Sequence, residues 1–175
     1  MKILVVSDSH LYNEILKKIT IYYKNKVDLM IHCGDSSLLK NDPILKDYLC
    51  VKGNHDDDDF PISIIKDNIL ITHGHKFGVY QGYQKLISLC KEKQIQICLH
   101  GHTHVPTHQI YEGIHFINPG STMINRGSYG FGSFAVIDIQ GDIDVHFYHH
   151  ETFEKCDYII EEGLELLEEF KNIVK

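Results

Sequence analysis

Ile3-Leu4-Val5-Val6-Ser7-Asp8-Ser9-His10 sets the frame for the rest of the chain. Four apolar residues in a row, three of them β-branched, read as a short buried strand. The run stops at a cluster of Ser, Asp and His. The same pattern returns four times. Leu29-Met30-Ile31 ends at His32-Cys33-Gly34-Asp35, and Tyr48-Leu49-Cys50-Val51 ends at Gly53-Asn54-His55-Asp56. Ile69-Leu70-Ile71 ends at Thr72-His73-Gly74-His75, and Ile95–Leu99 ends at His100-Gly101-His102-Thr103-His104. Between these runs, apolar spacing predicts helices over about Tyr12–Lys24 and Tyr83–Lys93, with a shorter one around Pro43–Lys46. Ligand sites in α/β sheets collect at the carboxyl ends of strands. Five clusters far apart in sequence can therefore meet at one point.

The remainder is strand-rich, with His115–Ile117, Phe134–Ile139 and Asp144–Tyr148 separated by Gly-containing turns. These elements predict an α/β fold built as a four-layer α-β-β-α sandwich of two mixed sheets. The tail, about 157–174, places Ile160, Leu164, Leu167, Phe170 and Val174 on one stripe and Glu161, Glu162, Glu165, Glu168 and Glu169 on the other face. That is an amphipathic helix, to be buried on its own domain or against a second copy in a homo-oligomer. The 175 residues fit a single domain, with no linker or repeat in sight.

Charge and cysteine usage narrow the function classes. A net charge of -7 repels a nucleic-acid backbone at long range, so no stable nucleic-acid complex is expected. A phosphate substrate stays open, because a bound cation inverts the field inside a cleft. The five cysteines include no Cys-x-x-Cys pair and sit mostly in apolar runs. That points to reduced thiols and a cytoplasmic setting, with no membrane association.

Asp8 and His10 lie two apart just past a strand and can turn toward one ion, although an Asp-capped turn reads the same way. Asp35 follows Gly34, where a sharp backbone turn brings the carboxylate forward. Asn54-His55-Asp56 is an odd way to build an ordinary turn, even beside the acidic run that follows it. The two His-x-His units weigh most, since neutral imidazole is the commonest transition-metal ligand. Oxygen and nitrogen donors without cysteine select Mn, Fe, Zn, Co or Ni over a thiolate zinc site.

Taken jointly, Asp8-x-His10, Gly34-Asp35, Gly53-Asn54-His55-Asp56, His73 and Gly101-His102-Thr103-His104 resemble the calcineurin-like metallophosphoesterases, in their short bacterial and archaeal phosphodiesterase branch. The likeness runs to about residue 150. It implies that Asp8, His10 and His104 hold one divalent ion, that Asn54, His73 and His102 hold a second, and that Asp35 bridges both. Manganese is the expected metal, with Fe, Zn, Ni or Co as alternatives. His55 is then a catalytic acid beside the second ion, steadied from behind by Asp56, and a hydroxide shared by both ions attacks a small phosphodiester. Asn118-Pro119-Gly120-Ser121 resembles a family loop at the cleft. Arg126 stands where many relatives have a Pro-Arg pair, which leaves its substrate contact open, and the tail helix has no counterpart. A silent scaffold of the same fold, as in the small retromer subunit, is the main alternative, and a phosphomonoesterase or nuclease comes next. The intact His55 weighs against the scaffold.

Overall fold

The computed structural model describes residues 1–57 and 59–173. Val174, counted above in the tail stripe, lies outside them. Two five-stranded sheets make up the frame. In the first, β1 (Lys2–Val6), β2 (Leu29–His32) and β3 (Leu49–Cys50) run parallel. β9 (Ser133–Ile139) lies antiparallel beside β1, and β10 (Ile143–His149) antiparallel beside β9. In the second, β5 (Ile69–Thr72), β6 (Ile97–Leu99) and β8 (Ile114–Asn118) are parallel. Its edges are β4 (Ser63–Lys66) and β7 (Thr107–Tyr111), both antiparallel to their neighbours.

Strand alternation builds the layers. On β1, Ile3 and Val5 enter the core between the sheets, where they join Ile31, Ile69, Ile71, Ile97, Leu99 and Ile117. Leu4 and Val6 point the other way, onto Ile15, Leu16 and Ile19 of α1 (Asn13–Tyr23). Covered on both faces, β1 can be apolar at every position, which is why its sequence is a run and not an alternation. On the second sheet, Leu70, Cys98 and Phe116 meet Leu86, Ile87 and Cys90 of α2 (Gln84–Glu92). The α-β-β-α order expected from the sequence is the observed one.

Three details differ from the sequence expectation. The edge strands β4 and β7 carry neither an unbroken apolar run nor a strict alternation, because edge strands keep mostly half-buried and exposed positions. The segment near Pro43 is a single 3-10 turn, Pro43–Leu45, capped by the Asp42 side chain accepting from Ile44 N. The tail helix, α3 (Ile159–Ile173), turns Ile159, Gly163 and Leu167 inward, while Ile160, Leu164 and Phe170 are only half-buried. Ile159 enters the core between the sheets and the helix packs along β7, so α3 closes one side of the sandwich. Gly163 explains the rotation of its buried face. A Cβ there would run into the Pro106 carbonyl and press on Val105, so the helix backbone lies directly on the segment that follows His104.

Candidate metal centre

All six parallel strands deliver their carboxyl ends to one region. β1 leads to Asp8 and His10, β2 to Asp35, β3 to Asn54 and His55, β5 to His73, β6 to His102 and His104, and β8 to the Asn118–Ser121 loop. The turns that leave these strands are tight. Asp8, His10, Asp35, His102 and His104, five of the seven expected ligands, adopt positive φ between 43° and 69°. Such backbone costs on the order of 1 kcal/mol per residue and gathers at functional sites, where the surrounding packing holds it in place. Asp, Asn and His tolerate it better than branched residues do.

The side chains converge. Asp8 Oδ1 lies 3.1 Å from His104 Nε2 and 3.9 Å from His73 Nε2. His73 Nε2 is 3.3 Å from Asp35 Oδ2 and 3.1 Å from Asn54 Oδ1. His10 Nε2 is 3.3 Å from His104 Nε2 and 4.0 Å from both Asp8 Oδ1 and Asp35 Oδ2. Among the described residues, two groups have the spacing of a metal shell: Asp8, His10 and His104, and Asp8, Asp35 and His73. His102 stands behind His73 with ring centroids 5.1 Å apart, and its backbone N–H donates to Asp8 Oδ2 at 3.1 Å. Asp8 belongs to both groups, and Asp35 faces His10 as well as His73. His75, the partner of His73 in its His-x-His unit, is 5.4 Å from it ring to ring.

Neighbouring groups fix these donors. The Nδ1–H of His73 donates to the Cys33 carbonyl at 2.8 Å, which leaves Nε2 facing the carboxylates. Ser7 Oγ donates to Asp8 Oδ2, and Ser121 Oγ donates to the Asp8 carbonyl. Gly101 passes so close that a Cβ there would overlap Ser7 Oγ and Asp8 Oδ2. Asp56, expected behind the His55 ring, spends both oxygens elsewhere: it accepts from the backbone N–H groups of Asp35, Gly53 and Ser37 and from Ser36 Oγ. Those contacts hold the Asp35 loop. The His55 backbone N–H donates to Asp35 Oδ1 at 2.8 Å, and its exposed ring sits 5.5 Å from that of His10.

Electrostatics suits cation binding. Burial pushes the Asp8 carboxyl up, but His73 and His104 outweigh it and hold it below the usual range. Burial likewise opposes ionisation of Asp35, and the His73 hydrogen bond overcomes it. Burial, reinforced by His73, lowers His102 to about 4, and burial also lowers His10 against the pull of Asp8 and Asp35. His73 moves the other way: burial disfavours its proton, yet Asp8 and Asp35 raise its pKa. Burial thus favours the neutral, lone-pair-bearing form of His10 and His102, while the two carboxylates favour positive charge at His73. Asp8 Oδ1 is buried and receives no well-directed hydrogen bond, although His104 Nε2 lies 3.1 Å away. An orphaned carboxylate oxygen is costly unless something cationic satisfies it. Donor separations of this size suit ligands about 2 Å from a shared ion. The residues present fit a pair of divalent metals.

Two cavities border the cluster. One, ≈ 110 Å³, is lined by Ser37, Leu38, Leu39, His55 and Asp57. The other, ≈ 430 Å³, is lined by Tyr80, His102, Arg126, Phe170 and Ile173. The first was foreshadowed by His55. The second was not: Tyr80 follows no motif, and Phe170 looked like one more stripe residue.

A two-sheet sandwich with Asp, His and Asn donors at its parallel strand ends defines a metal-binding phosphoester hydrolase. The chain belongs to the calcineurin-like phosphoesterase superfamily, whose domain model matches residues 1–142. It is 35% identical over 154 residues to the probable metallophosphoesterase YsnB of Bacillus subtilis, covering 85% of this chain and 90% of that one. A predicted phosphoesterase from Streptococcus pneumoniae has a crystal structure with TM-score 0.84 at 33% identity, covering 89% and 92% of the two chains. Vacuolar Protein Sorting 29 from Cryptosporidium parvum shares the fold at 19% identity, with TM-score 0.67 over 89% of this chain and 94% of that one.

Proposed function

We propose that this phosphoesterase is a phosphodiesterase that works with two divalent ions, manganese first among them. The observation that carries the reading is the gathering of Asp8, His10, Asp35, His73 and His104 into two metal-spaced groups that share the buried Asp8 carboxylate, with Asn54 and His102 beside His73. Asp8, His10 and His104 would hold one ion, and Asn54, His73 and His102 the other, with Asp35 facing both. When bound, such a pair supplies Lewis acidity toward phosphoryl oxygens and a nucleophile from water at neutral pH. The chain does the rest. Asp8 and Asp35 fix the charge of the site, and the backbone N–H of His55 anchors Asp35 Oδ1. The exposed His55 ring, held outside the donor cluster, gives its proton to the departing oxygen. Asp56 positions Asp35 through the backbone of its loop. Cavities beside both His55 and His102 give room for the two organic arms of a diester, where a monoester needs one. The five free cysteines suit a reducing, cytoplasmic setting.

The test is a hydrolysis panel on metal-stripped protein with single metals restored, using a diester and a monoester that share the 4-nitrophenyl leaving group. Activity that returns with manganese and favours the diester supports the reading. Preference for the monoester removes the diester assignment, and inactivity with every metal favours a scaffold.

A further inference from the structure

The cavity beside His102 has walls that the strand-end motifs do not supply. Phe170 and Ile173 come from α3, which lies beyond residue 142, where the family match ends. Tyr80 and His102 meet in a T-shaped pair with ring centroids 5.1 Å apart, and the Tyr80 hydroxyl donates to the His102 carbonyl at 3.3 Å. Phe170 meets Tyr80 edge to face at 5.7 Å, and the Arg126 guanidinium carbon stands 5.5 Å from the Tyr80 ring centroid. The position of this wall is tied to the site. Arg126 N donates to the His104 carbonyl, Tyr129 Oη donates to the Ile159 carbonyl, and Gly163 seats α3 on the strand end after His104. At ≈ 430 Å³ the space falls in the range of roughly 300–1,000 Å³ typical of small-molecule sites.

We propose that this cavity binds the retained arm of the diester and selects a flat aromatic group, an aryl or nucleobase ring. The proposal rests on the phosphodiesterase reading above. His55 protonates the leaving oxygen, so the leaving arm faces the ≈ 110 Å³ cavity that His55 lines, and the larger space beside His102 is left for the arm that stays on phosphorus. Two aromatic side chains and a guanidinium offer π faces and a cation to a ring, a combination that rewards aromatic over aliphatic groups. The reaction adds water across one P–O bond. Its oxygen ends on phosphorus, a proton ends on the departing oxygen, and the product left beside His102 is an aromatic phosphomonoester.

The experiment compares 4-nitrophenyl phenyl phosphate with 4-nitrophenyl methyl phosphate on manganese-loaded protein. The leaving group is shared, and only the retained arm differs. The expected kcat/KM ratio favours phenyl by about tenfold or more, the scale of one ring stacked on an aromatic wall, and the gain appears in KM. Phe170→Ala should bring that ratio close to one. A second readout does not need turnover. The chain contains no tryptophan but ten tyrosines, so Phe170→Trp places a sole indole in the wall that can be excited at wavelengths tyrosine does not absorb, and diphenyl phosphate should change its emission where dimethyl phosphate does not. Equal kcat/KM for both diesters in the unaltered protein overturns the cavity assignment and leaves the phosphodiesterase reading standing. A phenyl preference that survives Phe170→Ala also overturns it. If only the monoester 4-nitrophenyl phosphate is hydrolysed, the phosphodiesterase reading falls, and the fluorescence comparison alone then supports or overturns aromatic selection by the cavity.

Discussion

The two sheets bring chemically different halves to the cluster. The first contributes every oxygen donor, Asp8, Asp35 and Asn54, together with His10. The second contributes His73, His102 and His104, all nitrogen. The bracing differs too. Asp35 hangs on a loop pinned by three hydrogen bonds to Asp56, and Asp8 is gripped by Ser7 and Ser121. His10 and His104 have Nε2 atoms that meet each other at 3.3 Å, and the His104 nitrogen also lies 3.1 Å from Asp8 Oδ1. The first sheet thus fixes charge and position, while the second supplies imidazole donors. Charge shared between two ions should matter more than any single neutral ligand.

Asp35→Asn against His102→Ala is the sharpest way to break that contrast. Losing the Asp35 charge should remove both equivalents of metal and lower turnover by about 10³ or more, corresponding to several kcal/mol of lost electrostatic stabilisation. His102→Ala should keep one equivalent. Elemental analysis reads both variants. If Asp35→Asn retains two equivalents, or His102→Ala retains none, the division of labour between the sheets is wrong.

His55 tests the same contrast from inside the first half. It follows β3 directly after Asn54, yet it stands outside the donor cluster. His55→Ala should keep both metals and slow turnover by roughly 10² to 10⁴, the usual loss without a general acid. The deficit should shrink as the leaving group becomes more acidic, because a good leaving group needs little protonation. A uniform deficit across leaving groups would count against proton donation.

The two halves were not equally legible in the sequence. Each donor follows a strand that reads as an apolar run, so residue type and position could be taken from the sequence together, and the structure gathers those positions. The role of Asp56 was not readable. Its partners are three backbone N–H groups and a serine hydroxyl, and backbone donors carry no sequence signal. The edge strands β4 and β7 were missed because their mixed exposure erases the period. Tyr80 and Phe170 were missed because 90 residues separate them, and nothing local reports that α3 folds back beside His102.

Behind the ligands, each sheet also buries one neutral histidine, and here the halves should behave alike. In the first, Gly34 N donates to His32 Nδ1 and the opposite nitrogen donates to Ser9 Oγ. In the second, His100 Nδ1 donates to the Gly101 carbonyl and Nε2 accepts from Tyr83 Oη. Burial lowers both pKa values to about 4. Unfolding releases them to ordinary values near 6.5, so the unfolded chain binds more protons between these limits. Their stabilisation is complete above about pH 6.5 and is lost as pH falls toward 4, on the order of 3 kcal/mol for His100. Metal-free protein should therefore melt at a lower temperature at pH 5 than at pH 7.5. His100→Gln should narrow that gap, and a gap of unchanged size would show that His100 is not buried neutral.

The smallest expected effect concerns the helix that neither sheet's motifs foresaw, and its sign is the informative part. Gly163 sits in the middle of α3, where glycine costs about 1 kcal/mol relative to alanine. Were α3 loosely attached, or docked mainly on a second copy, Gly163→Ala would stabilise the protein by up to that amount. In the observed packing the added methyl meets the Pro106 carbonyl, with Val105 and Tyr129 Oη close behind. The helix must then lift off the segment that follows His104, at about 1–3 kcal/mol for an overpacked contact. Subtracting the gain in propensity leaves a net loss of up to about 2 kcal/mol, readable by urea unfolding of the metal-free protein. Leu167→Ala, on the same inward face, gives the scale for ordinary loss of packing there. A rise in stability for Gly163→Ala would place α3 away from β7 and remove the structural basis for Phe170 beside His102. A fall, with the metal content kept, ties the helix to the imidazole half of the site.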